Sequence, residues 1–240
     1  MICIETKNLT KKYKDCIAVN NLNLKINEHE LFSLLGTNGA GKTTTLKMLS
    51  TLISPTSGMI RINNLDINKN KQNIKEIINI SPQDTAIAKN LTVKENLNFF
   101  AGVYQIKDKD KKINDLIDLF ELNNVLNKKA STLSGGWQRK LSIAISLINE
   151  PLILFLDEPT LGLDVIARKE LWNIIEKLKD KTTIILTTHY MEEAEKLSNR
   201  VGIMSKGKLV KVGTPKEIIS LSKCKTFEDA FIKFATGGEL

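Results

Sequence analysis

The segment Gly36-Thr37-Asn38-Gly39-Ala40-Gly41-Lys42-Thr43 limits what this chain can fold into more than any other stretch of it. It has the form G-x-x-x-x-G-K-[ST]. An apolar run at residues 30–35 leads directly into it, and a helical pattern at residues 42–50 follows, so it joins a strand to a helix. Glycine lacks a Cβ, so backbone rich in it can turn through positive φ and approach a ligand closely. The N–H groups freed in such a loop, with the first turn of the helix, present partial positive charge to an anion. Lys42 adds a full charge for phosphate oxygens, and the Thr43 hydroxyl is suited to Mg²⁺. Gly36, Asn38, Gly39, Ala40, Gly41, Lys42, Thr43 and Thr44 are therefore the candidate phosphate cradle.

A second segment supplies acidity. Leu152-Ile153-Leu154-Phe155-Leu156 runs into Asp157-Glu158. A buried strand delivering two carboxylates at its C-terminal end is costly unless a cation is present, and ligands of parallel sheets bind at that end. Asp157 is placed to hold Mg²⁺ and Glu158 to orient and polarise a water. Together the two segments describe a P-loop nucleotidase.

The pattern along the chain agrees with such a fold. Short strands are expected up to about residue 35, with polar–apolar alternation at residues 20–26. Further strands are expected at 57–62 and 77–80. Between 84 and 150 the spacing turns helical, through Val93, Leu97, Phe100 and Ala101 and again through Ile113, Leu116, Ile117 and Phe120. From 152 strands and helices alternate: strand to 157, helix 165–180, strand 182–186, helix from 191, strand 201–205. That alternation implies a mostly parallel sheet covered on both faces. The expected fold is α/β, a P-loop NTPase core with N-terminal antiparallel strands and an all-helical insertion. The core takes residues 1–83 and 152–214, the insertion 84–151, and a short helical tail 215–240.

Composition excludes several alternatives. The run at 152–156 is the longest strongly apolar stretch and is far too short to cross a bilayer. The N-terminus has no basic region followed by an apolar run, so no signal peptide is expected. Three widely spaced cysteines and two histidines leave no zinc-ligand spacing. The net charge is +8. Its lysines are scattered and interleaved with acids, as in Lys107-Asp108-Lys109-Asp110-Lys111-Lys112, which describes a solvated surface and not a nucleic-acid footprint.

One further motif narrows the reading. Leu133-Ser134-Gly135-Gly136-Trp137 precedes the acidic strand. On it the sequence resembles the ABC (ATP-binding cassette) ATPase family, whose signature is LSGGQ; Trp137 stands where Gln is usual. The resemblance covers essentially the whole chain. It identifies Gln83 with the family's Q-loop glutamine, Asp164 in Leu161-Gly162-Leu163-Asp164 with the D-loop, His189 with the switch histidine, and Tyr13 with the aromatic that stacks on adenine.

The resemblance implies ATP hydrolysis with Glu158 as general base, with Lys42, Gln83 and His189 in the catalytic set, and with Thr43, Gln83 and Asp157 around Mg²⁺. Ser134, Gly135 and Gly136 open a helix expected over residues 134–149; the resemblance implies that they serve a nucleotide held by a second copy of the chain, and it places Asp164 among the nucleotide-binding residues. Residues 91–97, 187–195 and 226–231 resemble the exporters of drugs, antibiotics, lipids or polysaccharides. A separately encoded membrane permease is then the expected partner, docking within residues 83–102, and the cytoplasmic face of the membrane the expected location. The competing readings are a soluble ABC ATPase of translation or DNA repair, a P-loop small-molecule kinase, and a degenerate regulatory subunit.

Overall fold

The computed structural model describes residues 1–237. The chain opens with two long strands, β1 (Ile2–Tyr13) and β2 (Cys16–Asn27), followed by β3 (Leu31–Gly36) and α1 (Lys42–Leu49). Next come β4 (Ser57–Ile62), β5 (Leu65–Asp66), α2 (Lys71–Ile77) and β6 (Ile78–Ser81). A helical stretch follows: α3 (Val93–Val103), α4 (Lys109–Leu119) and α5 (Gly135–Ser146), with short 3-10 turns at Leu122–Val125 and Ala130–Thr132. The alternation then resumes with β7 (Ile153–Asp157), α6 (Val165–Leu178), β8 (Thr183–Thr188), α7 (Met191–Leu197) and β9 (Arg200–Ser205). The remaining elements are β10 (Lys208–Gly213), α8 (Pro215–Ser222) and α9 (Phe227–Thr236). The end of the expected tail, residues 238–240, lies outside the described residues.

Two sheets result. One is antiparallel, in the order β2-β1-β4-β5; the other has the order β10-β9-β3-β8-β7-β6. In the larger sheet β9, β3, β8, β7 and β6 are parallel, and β10 is an antiparallel edge. Its central strands are apolar on both faces, as a covered parallel sheet requires. Phe32, Leu34, Phe155 and Ile185 face the antiparallel sheet and α1, where they meet Ile4, Leu46 and Ile60. The alternate positions Leu154, Leu156, Ile184 and Leu186 pack with Leu171 and Trp172 of α6 in a core that runs on into the helical stretch. The α8–α9 tail covers Leu35, Val201 and Ile203 with Ile218, Phe227 and Phe231.

Three features differ from the sequence pattern. The short strands expected before residue 35 include two 12-residue strands, because register shifts between Thr6 and Lys12 break the alternation that would have shown their length. β10 and α2 were not expected. α2 buries only Ile74, and β10 only its last residue, so neither carries a readable apolar period. The helix expected from residue 134 starts at Gly135, with Ser134 as its N-cap, and ends three residues early at Ser146.

Candidate nucleotide site

Parallel register decides which residues meet. Asp157 pairs with Thr187, Leu35 with Thr188, Gly36 with Met204, and Ser81 with Leu156. The C-terminal strand ends therefore set the glycine loop, Asp157-Glu158, His189, Gln83 and the β9–β10 turn along one edge, where open α/β sheets bind ligands.

The loop is shaped by close approach. Gly41 has φ 100°, and a Cβ there would lie 2.4 Å from the Ala18 carbonyl oxygen. A Cβ on Gly36 would lie 2.6 Å from the Met204 carbonyl oxygen. Lys42 folds back into the loop, donating to the carbonyls of Gly36 (2.8 Å) and Thr37 (3.3 Å), and its Nζ lies 3.3 Å from Glu158 Oε1. The Thr43 hydroxyl donates to Asp157 Oδ1 at 3.0 Å, and Thr187 donates to the same oxygen at 2.6 Å.

Glu158 itself has φ 48°, a left-handed conformation uncommon outside glycine. Its N–H donates to the Thr187 carbonyl (3.1 Å) and hydroxyl (3.0 Å), which holds that turn in place. Its Oε2 lies 2.8 Å from His189 Nδ1. A carboxylate can only accept, so the hydrogen sits on Nδ1. One carboxylate, 8% exposed, is thus gripped between the Lys42 ammonium and the His189 ring.

These groups open into a cleft of about 850 Å³ lined by Tyr13, Asn38, Gly39, Ala40, Gly41, Lys42, Thr43, Thr44, Gln83, Glu158 and His189. Gly36 and Asp157 stand behind its wall, reached through Lys42 and Thr43. Tyr13 is half exposed at the rim, beside Cys16, Ile17 and Ala18. Ser134, Gly135, Gly136 and Asp164 do not line the cleft. Ser134 and Gly135 are exposed, the Ser134 side chain makes no capping bond, and a Cβ on Gly135 would meet nothing within 4 Å. Asp164 Oδ1 accepts from the N–H groups of Ile166 and Ala167, both at 2.9 Å, and so caps α6.

Several participants carried no sequence signal. Lys206 and Gly207 reach the cleft because the β9–β10 turn packs on the loop, Gly207 N–H donating to the Ala40 carbonyl at 3.1 Å. Thr187 positions both acidic residues. Glu193, completely buried, accepts from Thr160 (2.8 Å) and from Trp172 Nε1 (3.0 Å), and burial pushes its carboxyl above the ordinary range. Each of these is defined by contacts across the fold, where no spacing rule applies.

The donor set suits magnesium. Thr43 and Asp157 are hard oxygen donors already in contact, and among the described residues no cluster of three or more His, Cys, Asp or Glu forms a cage. Mg²⁺ is ordinarily held this way, by one or two protein oxygens together with phosphates.

A glycine loop at a strand–helix junction, an acidic strand end beside it and a parallel sheet with an antiparallel flank define a P-loop NTPase fold of the nucleotide-binding cassette type. Residues 19–161 match the family model described as ABC transporter, and the chain belongs to that family. It is 38% identical over 238 residues to the Probable multidrug ABC transporter ATP-binding protein YbhF of Escherichia coli, covering 96% of this chain and 41% of that protein. It is 41% identical over 212 residues to the human Phospholipid-transporting ATPase ABCA3, covering 86% of this chain and 12% of that protein. The chain therefore spans less than half the length of either relative. Among solved structures, an ATP-binding subunit of an ABC transporter superposes with TM-score 0.86 at 25% identity, covering 97% of this chain and 99% of that one. A dimeric bacterial ABC transporter cassette superposes with TM-score 0.80 at 28% identity, over 88% and 98%. Among the described residues no helix is long and apolar enough to cross a membrane.

Proposed function

We propose that this chain binds and hydrolyses Mg-ATP as one half of a dimer of identical chains, driving a separately encoded permease from the cytoplasmic face of the membrane. The observation that carries the reading is Glu158, held in a left-handed turn at the floor of the cleft between Lys42 and His189. The loop N–H groups and Lys42 bind the β- and γ-phosphate oxygens. Lys42 then exchanges its loop carbonyls for a stronger anion. Thr43 and Asp157, with Gln83, hold Mg²⁺, which supplies a positive charge that offsets the phosphate oxygens. Tyr13 offers a ring face to the adenine. Glu158 accepts a proton from the in-line water, and His189 keeps that carboxylate aimed while contacting the γ-phosphate.

The dimer is supported by what the cleft lacks. Ser134 and Gly135 stand exposed at the start of α5, with the Ser134 hydroxyl making no capping bond and open space around Gly135. A helix N-terminus bearing a free hydroxyl and no obstructing side chain suits a phosphate presented from outside. A similar solved cassette is dimeric, and another structure of such a dimer is described as a post-hydrolysis state with ADP and Pi.

The relatives' names, multidrug and phospholipid-transporting, favour an export substrate of drug or lipid-like character, and transport over translation or DNA repair. Phe99 and Val103 of α3, with Leu52 and Tyr104, are exposed apolar residues. Leu52 and Tyr104 line a second cleft of about 600 Å³ between β6 and the helical stretch. That surface, next to residues 83–102, suits a docking element of the permease.

Glu158→Gln tests the reading. The variant should bind Mg-ATP, lose turnover and double its mass by light scattering only when nucleotide is present. Wild-type turnover, or a mass indifferent to Mg-ATP, refutes it.

A further inference from the structure

The helix carrying Ser134–Gly136 is fastened to the loop that carries Gln83, and the fastener is a residue outside every motif named above. Arg139 lies one turn into α5 and is 5% exposed. Its Nη1 donates to the Pro82 carbonyl at 2.7 Å and its Nη2 to the Gln83 carbonyl. Both carbonyls belong to irregular backbone past the end of β6, where no ladder satisfies them. Burial pulls the guanidinium's pKa down, and the charges of Asp157 and Asp84 work against that shift. A buried cation facing two carbonyls is expensive by comparison with an apolar side chain of the same volume. What it supplies in return is geometry. A planar fork grips two successive carbonyls at once and so fixes both the position and the rotation of the peptide at Gln83. A second link lies one turn further along, where the Ser81 and Ser142 hydroxyls are 3.1 Å apart. On the neighbouring residue, Lys140 pairs with Glu170 of α6 at 2.9 Å, so α5 is also tied to the helix that follows Asp164.

We infer that Arg139 is a positioning residue that locks the start of α5, and with it Ser134–Gly136, to the backbone at Gln83, so that the face shown to a second copy of the chain follows the glutamine at this chain's own nucleotide. The inference rests on the proposed function. A displacement of Gln83 on contact with a γ-phosphate is carried through two hydrogen bonds to Arg139, on the helix that Ser134 opens. Arg139 touches no nucleotide. Its loss should leave ATP binding to the single subunit in place and impair the step that needs two.

Arg139→Met keeps the volume and removes the fork; Arg139→Lys keeps the charge and stem and cannot donate to both carbonyls with the same geometry. Steady-state hydrolysis by the purified chain is compared for the parent, both variants, Gln83→Ala and the Gln83→Ala/Arg139→Met pair, with ATP affinity measured separately. Arg139→Met should lower kcat by about tenfold or more while the ATP concentration for half-saturation stays within about twofold. On the Gln83→Ala background the same substitution should lower kcat by less than about twofold further, since residues acting through one contact are not additive. Arg139→Lys should fall between parent and Arg139→Met, and it carries the comparison alone if Arg139→Met does not purify folded. A parent that hydrolyses ATP beside equally active Arg139 variants overturns this inference and leaves the proposed function standing, as does a full, multiplicative loss in the double variant. A parent with no ATP hydrolysis overturns both.

Discussion

Two glycines show how differently one residue type can be constrained. Gly41 is fixed from within: φ is 100° and the Ala18 carbonyl oxygen stands where a Cβ would go. Alanine there meets both strains. The backbone alone costs roughly 1–3 kcal/mol, and the clash must be relieved by moving the loop away from β2. Gly41→Ala should therefore lower the midpoint of chemical denaturation and abolish ATP binding; a variant with parental stability and affinity would show that the loop does not need this approach. Gly135 is the reverse. Its φ is not positive and the space around a Cβ is open, so nothing inside the chain asks for glycine. Gly135→Ala should leave stability within about 0.5 kcal/mol of the parent, as for an ordinary exposed site. It should leave nucleotide binding to the single subunit unchanged and still reduce hydrolysis, because the added methyl meets whatever docks there. Parental hydrolysis by Gly135→Ala would remove the strongest reason for assigning that loop to a partner's phosphate.

At the scale of elements, the sheet edge that carries the cleft is held together by a buried acid. Glu193, at the start of α7, receives hydrogen bonds from Thr160 in the turn after β7 and from Trp172 on α6, and so pins three elements behind Glu158 and His189. Burial raises its pKa above the ordinary 4.5, with Glu158 adding in the same direction. A carboxyl whose folded pKa is raised stabilises the fold fully below its unfolded value and loses that contribution as pH rises through the folded value. Each unit of upward shift corresponds to about 1.4 kcal/mol. Glu193→Gln resembles the protonated form at all pH. Its stability relative to the parent should therefore improve as pH is raised from about 4.5, read from urea midpoints in a pH series; a constant difference would mean that folding does not raise the pKa of Glu193.

The same elements show how much the sequence discloses. β3, α1 and β7 are legible because both faces of their strands are buried and their ends carry the glycine loop and the paired acids. Their positions in the chain order gave the sheet. The length of β1 and β2 was hidden by bulges, and α2 and β10 by having almost nothing to bury. In the site, motif residues were readable one by one. Their supports were not: Thr187 lies 30 residues from Asp157, Arg139 lies 57 from Pro82, and the Lys206-Gly207 turn meets the glycine loop only through the register of β9 against β3.

For the whole molecule, the decisive fact is a separation. Lys42, Thr43, Asp157, Glu158 and His189 converge on one cleft, while Ser134 and Gly135 stand exposed, and Gly136 half-buried, away from it. If both sets act on one triphosphate, they come from different copies, and a two-fold dimer then holds two composite sites. This geometry has a consequence that no single-chain site shares. Lys42→Ala spoils the cleft of its own chain, and Ser134→Arg spoils the loop offered to the partner, so each homodimer has no intact site. When the two variants are mixed and allowed to exchange subunits, half of the dimers are heterodimers. In each, the Ser134→Arg chain contributes an intact cleft and the Lys42→Ala chain an intact loop, and these face each other. The mixture should hydrolyse ATP, up to about a quarter of the wild-type rate at equal proportions, although neither component does so alone. Were Lys42 and Ser134 to serve the same site from the same chain, every site in the mixture would carry one lesion and no activity would return.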